Sequence, residues 1–291
     1  MAIWKKYHVA KHPLDALDAL AGATGPARLI AGGTDLLLEL QQGLRPPVDT
    51  LVDVSAIPEM STLEIQDEQL FIGAAVPLNE VVASPQVQVH AQALLEAARL
   101  IGGPQVRNTA TLGGNVGHAL PAADGTISLL ALGAQALVVN HSGNRLVPME
   151  VLFTGPGKSS LHPMKELILG FYLPLRRANQ GSAFRRVMRP QGVAIAILNM
   201  GVWVERDGDR IREIRVAIGP AGPVPFRARM AEDVLRGQAP EIDLLDAALS
   251  AIHEEVHYRT SPHRATAEYR HQVTNPIFSD TFTAAWTRAE R

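Results

Sequence analysis

The feature that most constrains this chain is a glycine doublet set between an apolar strand and an apolar helix. Arg28-Leu29-Ile30 reads as a short buried strand, and Ala31-Gly32-Gly33-Thr34-Asp35-Leu36 follows it at once. Leu36, Leu37, Leu40 and Leu44 then recur at helical spacing up to Pro46-Pro47, where a helix must stop. Thr50–Ser55 looks like the returning strand, so the segment forms a compact βαβ-like unit. A helix over Pro13–Ala23, with Leu14, Leu17 and Leu20 on one face, precedes it. In such a turn successive backbone N–H groups can converge on a diphosphate, and glycine lets the ligand approach without a Cβ clash. An isolated Gly-Gly is equally compatible with a plain tight turn.

A second loop of the same kind, Thr111-Leu112-Gly113-Gly114-Asn115, is followed by Pro121-Ala122-Ala123 and Asp124. Two glycine nests suit one dinucleotide. Neither matches the nicotinamide fingerprint Gly-x-Gly-x-x-Gly, and the acidic residue it needs about 20 positions later is not placed as that motif expects, so a Rossmann site is disfavoured. Asp124 and Asn115 also have plainer readings, as the cap of a helix entered at Thr126 and as a turn residue.

Elsewhere, Leu70–Val76, Ala136–Asn140 and Leu167–Pro174 are short apolar runs that read as strands of a second region, and Gln92–Ile101 is its clearest helix. Gly102 to Asp124 is the longest polar, glycine-rich connection. A third region begins near Phe184, where Ala194–Glu205 and Arg210–Ile218 flank Asp207-Gly208, a hairpin signal. Helices over Asp243–Val256 and Arg264–Val273 follow. There is no internal repeat and no low-complexity linker.

With 291 residues, 46 % of them hydrophobic and 19 % charged, the chain can build two or three domains with their own cores. A net charge of -2 gives no field for collecting polyanions, which disfavours nucleic acid. No apolar run approaches the roughly 18 residues that would cross a bilayer. The opening Met-Ala-Ile-Trp-Lys-Lys-Tyr-His lacks an apolar signal-peptide region, so the expected location is cytoplasmic. Cysteine is absent, which excludes thiolate-held zinc, cysteine-ligated iron–sulfur clusters and a cysteinyl flavin link on this chain.

Taken together, Ala31–Leu36, Gln105–Thr109, Thr111–Asn115, Asp124, Phe153-Thr154-Gly155-Pro156-Gly157-Lys158 leading to Glu166-Leu167-Ile168, and Arg264-Ala265-Thr266-Ala267-Glu268-Tyr269-Arg270 occur in the order of a known family. Across roughly residues 3 to 275 the chain resembles the FAD-binding medium subunit of the molybdenum hydroxylases, the group of xanthine dehydrogenase and aerobic carbon monoxide dehydrogenase. The resemblance implies an α+β protein: a two-subdomain FAD-binding fold of the vanillyl-alcohol-oxidase-like type (1–55 and 56–176), then a C-terminal domain of antiparallel sheet plus helices (177–291). It implies non-covalent FAD held by Ala31, Gly32, Gly33, Thr34, Asp35, Leu36, Ile101, Thr111, Gly113, Gly114, Asn115, Asp124, Leu167 and Arg186.

Of these, the backbone of Gly32–Leu36 and Gly114–Asn115 would hold the pyrophosphate, Asp124 the ribose or ribityl hydroxyls, and Leu167 would line the cofactor. Arg186 stands where relatives have a basic or polar group near the adenine half. Val193 stands where relatives often carry Asp, implying a more apolar flavin edge over Gly192–Ile195. Molybdenum cofactor and iron–sulfur clusters would sit on a large and a small partner chain, in a dimer of heterotrimers. The chain would pass electrons from those clusters to a final acceptor, with no catalytic acid or base of its own.

One rival reading is a zinc metallopeptidase. His253-Glu254-Glu255-Val256-His257 matches His-Glu-x-x-His, with His263 where an extended pattern puts a third ligand and Glu254 as general base. Thr260 replaces the glycine needed for the turn to that ligand, and no methionine follows Met230, so solvent-facing histidines at a helix end are the preferred reading. Gly157-Lys158-Ser159 is a near miss to a P-loop, since Leu152 occupies the first glycine position.

Overall fold

A computed structural model describes residues 3–189 and 195–290. The first region is a three-stranded parallel sheet in which Thr50–Asp53 lies between Lys6–Val9 and Ala27–Ile30. The outer strand Lys6–Val9 escapes a reading by hydrophobicity because three of its four residues are exposed. The helix Pro13–Ala21 buries Leu17 and Leu20, while Leu14 is 46 % exposed, so the predicted apolar face is narrower than three leucines.

A five-stranded antiparallel sheet follows, ordered Leu63–Gln66, Gln69–Gly73, Leu167–Pro174, Gln135–Asn140 and Gly143–Pro148. The strand expected over Leu70–Val76 ends at Gly73 because the next carbonyls turn away to other donors: Ala74 O accepts from Gly113 N and Val76 O from Leu112 N. The connection Gly102 to Asp124 is not bare loop. It contains two short helices, Pro104–Arg107 and Leu112–Gly117, too short to show an apolar period. One hydrophobic core, from Ala10 through Leu94 and Ile127 to Phe171, joins the first two regions.

The C-terminal region is a four-stranded antiparallel sheet of Gln180–Val187, Leu198–Asp207, Arg210–Gly219 and Phe226–Arg227, with its hairpin at Asp207–Arg210 as expected. Helices Arg229–Leu235, Ile242–Glu255 and Ala267–Arg288 complete it around a second core. The last helix does not stop at Val273 but continues through Pro276 to Arg288. Proline removes one helical hydrogen bond, yet Ile277, Phe278, Phe282 and Ala285 beyond it are buried in that core, and their packing carries the helix through. Mixed helices and largely antiparallel sheets make the molecule α+β.

Helix Asp124–Leu132 is the element that positions the site. All of its residues are buried, because it is covered by helix Gln92–Leu100 on one side and the C-terminal sheet on the other. Among the described residues, no helix is long and apolar enough to cross a membrane.

Candidate functional site

The two glycine loops meet. Gly32 lies so close to the chain before the second loop that a Cβ there would fall 1.9 Å from the carbonyl oxygen of Thr109. A Cβ on Gly113 would likewise fall 2.5 Å from both the Cβ and the carbonyl oxygen of Ala74. Both glycines are therefore demanded by backbone packing. Gly114 differs: it is exposed, and a Cβ there would meet only Thr111 Oγ1, at 3.1 Å. From the helices behind the loops, Glu39 and His118 approach to 3.6 Å.

The loops differ in what their amides do. In the second, Gly113 N donates to Ala74 O, Gly114 N to Thr111 Oγ1 and Asn115 N to Thr111 O. Thr111 thus caps the short helix that follows. In the first, no backbone carbonyl among the described residues accepts from Gly32, Gly33, Thr34, Asp35 or Leu36. Asp35 offers no side-chain cap either. Five consecutive amides thus have no backbone acceptor among the described residues, as an anion-binding nest requires.

Asp124 is 5 % exposed and does not cap its helix, whose N-cap is Ala123 with no side-chain bond. Its Oδ2 accepts from Arg186 Nη1 at 2.5 Å and its Oδ1 from Asn199 Nδ2 at 2.6 Å. Arg186 and Asn199 are register partners on adjacent strands of the C-terminal sheet, which is why both reach one carboxylate. Burial pushes the Asp124 pKa up, opposed first by the charge of Arg186 and then by the hydrogen bond from Asn199. Around this group, Asn115 Oδ1, Thr126 Oγ1, Arg186 Nε and Asn199 Oδ1 are buried without a partner. Such atoms are costly unless a ligand or water meets them.

The remaining predicted residues are placed as follows. Ala31, Leu36 and Ile101 are half-buried at the edge of the cores. Leu167 is 1 % exposed and pairs with Val139 in the five-stranded sheet, deep in the first core. Gly192 and Val193 lie outside the described residues. Asn199 carried no sequence signal: it stands in a strand among apolar neighbours, in no motif.

The residues fit a flavin dinucleotide: open amides and a Cβ-free approach at the loops, and an oriented buried carboxylate with orphaned polar atoms beside it. They do not fit the rival zinc site. The helix ends at Glu255, so His257 lies beyond it, with its amide on Ala221 O, and His253 and His257 share no helical face. His253 instead meets His271 and Asn275. Among the described residues, no group of three or more His, Cys, Asp or Glu could hold a metal. Gly157-Lys158-Ser159 belongs to a small hairpin of Phe153–Gly155 and Lys158–Ser159, not to a strand-to-helix phosphate loop.

Comparison with known proteins agrees with this geometry. Residues 4–176 match the family described as the FAD binding domain in molybdopterin dehydrogenase. Residues 182–285 match the CO dehydrogenase flavoprotein C-terminal domain. The chain is 30 % identical to the xanthine dehydrogenase FAD-binding subunit of Escherichia coli O157:H7, covering 96 % of each. It is 28 % identical to the carbon monoxide dehydrogenase medium chain of Hydrogenophaga pseudoflava, covering 97 % of each. A solved structure of carbon monoxide dehydrogenase from Hydrogenophaga pseudoflava, lacking the Mo-pyranopterin moiety of its molybdenum cofactor, superposes with a TM-score of 0.92 over 98 % of both chains, at 28 % identity.

Proposed function

The chain belongs to the family of FAD-binding medium subunits of molybdenum hydroxylases, the flavoprotein subunits of xanthine and carbon monoxide dehydrogenases, and from that premise we propose that it relays electrons within such a complex. The observation that carries the reading is the meeting of the two glycine loops, with five amides at Gly32–Leu36 that have no backbone acceptor and the buried Asp124 on the helix packed against the second loop.

In this reading the Gly32–Leu36 amides hold the pyrophosphate, since they present partial positive charge at no reorganisation cost. Gly114 leaves room for the phosphates, and Asp124 accepts from ribose or ribityl hydroxyls. Thr111 and Asn115 shape the second wall, while Arg186 compensates the charge of Asp124. Ala31, Ile101 and Leu167 supply the apolar packing that excludes water. When bound, FAD would supply a redox centre able to take electrons singly from iron–sulfur clusters of a partner chain and deliver them to a final acceptor. No side chain here is asked to act as a general acid or base. The partners are a small iron–sulfur chain and a large molybdenum-cofactor chain, in a cytoplasmic dimer of heterotrimers, and the working domain limits are 1–55, 56–176 and 177–291.

The test is an absorption spectrum of the purified chain, with acid release and identification of the chromophore and zinc measured on the same sample. Stoichiometric FAD without zinc is expected. A chain that carries zinc and takes up no flavin on reconstitution would overturn the proposal.

A further inference from the structure

We infer that Asn199 is a positioning residue for the flavin site: its amide fixes the rotamer of the Asp124 carboxylate and prevents Arg186 from closing a two-pronged pair on it. The inference rests on the cofactor-binding reading of Asp124 and adds a residue outside every sequence motif.

Asn199 is fully buried, and its Nδ2 donates to Asp124 Oδ1 at 2.6 Å and to Ala122 O at 3.1 Å. The Ala122 carbonyl can only accept, so the NH2 end of the amide must face it, and Asp124 Oδ1 lies on the same side. The opposite oxygen has no partner. It projects toward Gly219, Asn199's register partner on the next strand, where a Cβ would fall 2.7 Å from it. A buried acceptor without a donor disfavours folding, so whatever the amide contributes lies in its two donated bonds.

An ionised carboxylate has about four acceptor positions. Asn199 takes one on Oδ1 and Arg186 takes one on Oδ2, which leaves both oxygens with capacity for hydroxyl donors. Arg186, however, has a second donor parallel to Nη1 in its Nη2, which now meets only the weak thioether acceptor of Met188, at 2.9 Å. Guanidinium and carboxylate favour a fork in which two parallel N–H groups meet both oxygens. Rotation of Asp124 out of the Asn199 bond would allow that fork and use up the positions a ligand needs. Asn199 holds the carboxylate in the divided arrangement.

The test is a double-mutant cycle on FAD dissociation, read by flavin fluorescence with the full chain stripped of flavin. Asn199→Leu removes the donors at similar volume, and Arg186→Lys keeps the charge but cannot form the fork. Asn199→Leu is expected to weaken FAD binding by about tenfold or more when Arg186 is present, as loss of a charged hydrogen bond implies. In the Arg186→Lys background the loss should shrink to about threefold or less. Equal losses in both backgrounds would assign Asn199 a merely structural role through Ala122, and that result, like no loss at all, overturns the inference. Should Asn199→Leu fail to fold, Asn199→Ser completes the same cycle. A wild-type chain that binds no FAD removes the flavin reading itself; tight wild-type binding with uncoupled losses removes only the role of Asn199.

Discussion

Arg186 and Asp124, 62 positions apart, form an ion pair at 2.5 Å in which both side chains are nearly sealed from water. The pair ties the first residue of a helix in the flavin-binding half to the first strand of the C-terminal sheet. Removing one partner of a buried pair strands the other charge, at a cost of about 3–5 kcal/mol. Asp124→Ala should therefore destabilise the flavin-free chain by that amount, and FAD retention should fall as well. Urea unfolding of the variant measures the first effect and flavin content the second; a variant as stable as the parent would show that the pair contributes nothing.

The glycines separate into two kinds, and their variants should too. Gly114→Val is expected to leave the melting temperature within a few degrees of the parent while abolishing FAD uptake, because the added Cβ meets only the Thr111 hydroxyl, at 3.1 Å, and no backbone. Gly32→Ala should impair folding itself, since its Cβ would overlap the Thr109 carbonyl. Loss of flavin in the second variant says nothing about phosphate contact. Normal FAD occupancy in a folded Gly114→Val protein would remove that position from the site.

Much of this was legible in the sequence where one residue type has one physical use. The glycine loops, the Asp207-Gly208 hairpin and the βαβ unit follow from local turn chemistry and apolar period, and the structure contains them. Leu14 misled because an apolar residue on a helical face can still point to solvent. The continuation of the last helix was hidden by Pro276 and by Thr274 and Thr281, which satisfy their buried hydroxyls on the carbonyls of Arg270 and Ile277. Asn199 was invisible for a different reason. Its importance comes from strand register, which sets it beside Arg186 and beneath Asp124, and no local pattern encodes that register.

A second junction between the two halves should respond to acid. Glu96, on helix Gln92–Leu100, receives Arg288 at 2.5 Å, the Phe184 amide at 2.8 Å and Arg185 at 3.1 Å. Burial alone would raise its pKa, but these donors, Arg288 foremost, hold the carboxyl below its ordinary 4.5. A depressed carboxylate pKa stabilises the fold fully above the unfolded value and ceases to do so as pH falls through the folded one. Glu96→Gln should thus cost about 1.5–3 kcal/mol at pH 7, the usual worth of a charged hydrogen bond. The gap between parent and variant should narrow below about pH 4.5. Melting curves across that range decide it, and a gap independent of pH would mean that Glu96 acts through shape alone.

The histidines of the discarded zinc motif lead to one last expectation. His253 Nδ1 lies 2.9 Å from His271 Nδ1, with His253 Nε2 on Asn275 Oδ1 and the Tyr258 ring against the edge of His271. One Nδ1 must donate and the other accept, so at least one ring has to be neutral. Burial, and then the charge of His253, lowers the His271 pKa from 6.5. Because the unfolded chain binds that proton more readily, stability is fully present above pH 6.5 and declines as pH falls through the lowered value. His271→Gln cannot titrate, so it should melt close to the parent at pH 7.5 and lose less stability than the parent on transfer to pH 5. Parallel losses in the two proteins would show that the pair is not what acid attacks between helices Ile242–Glu255 and Ala267–Arg288.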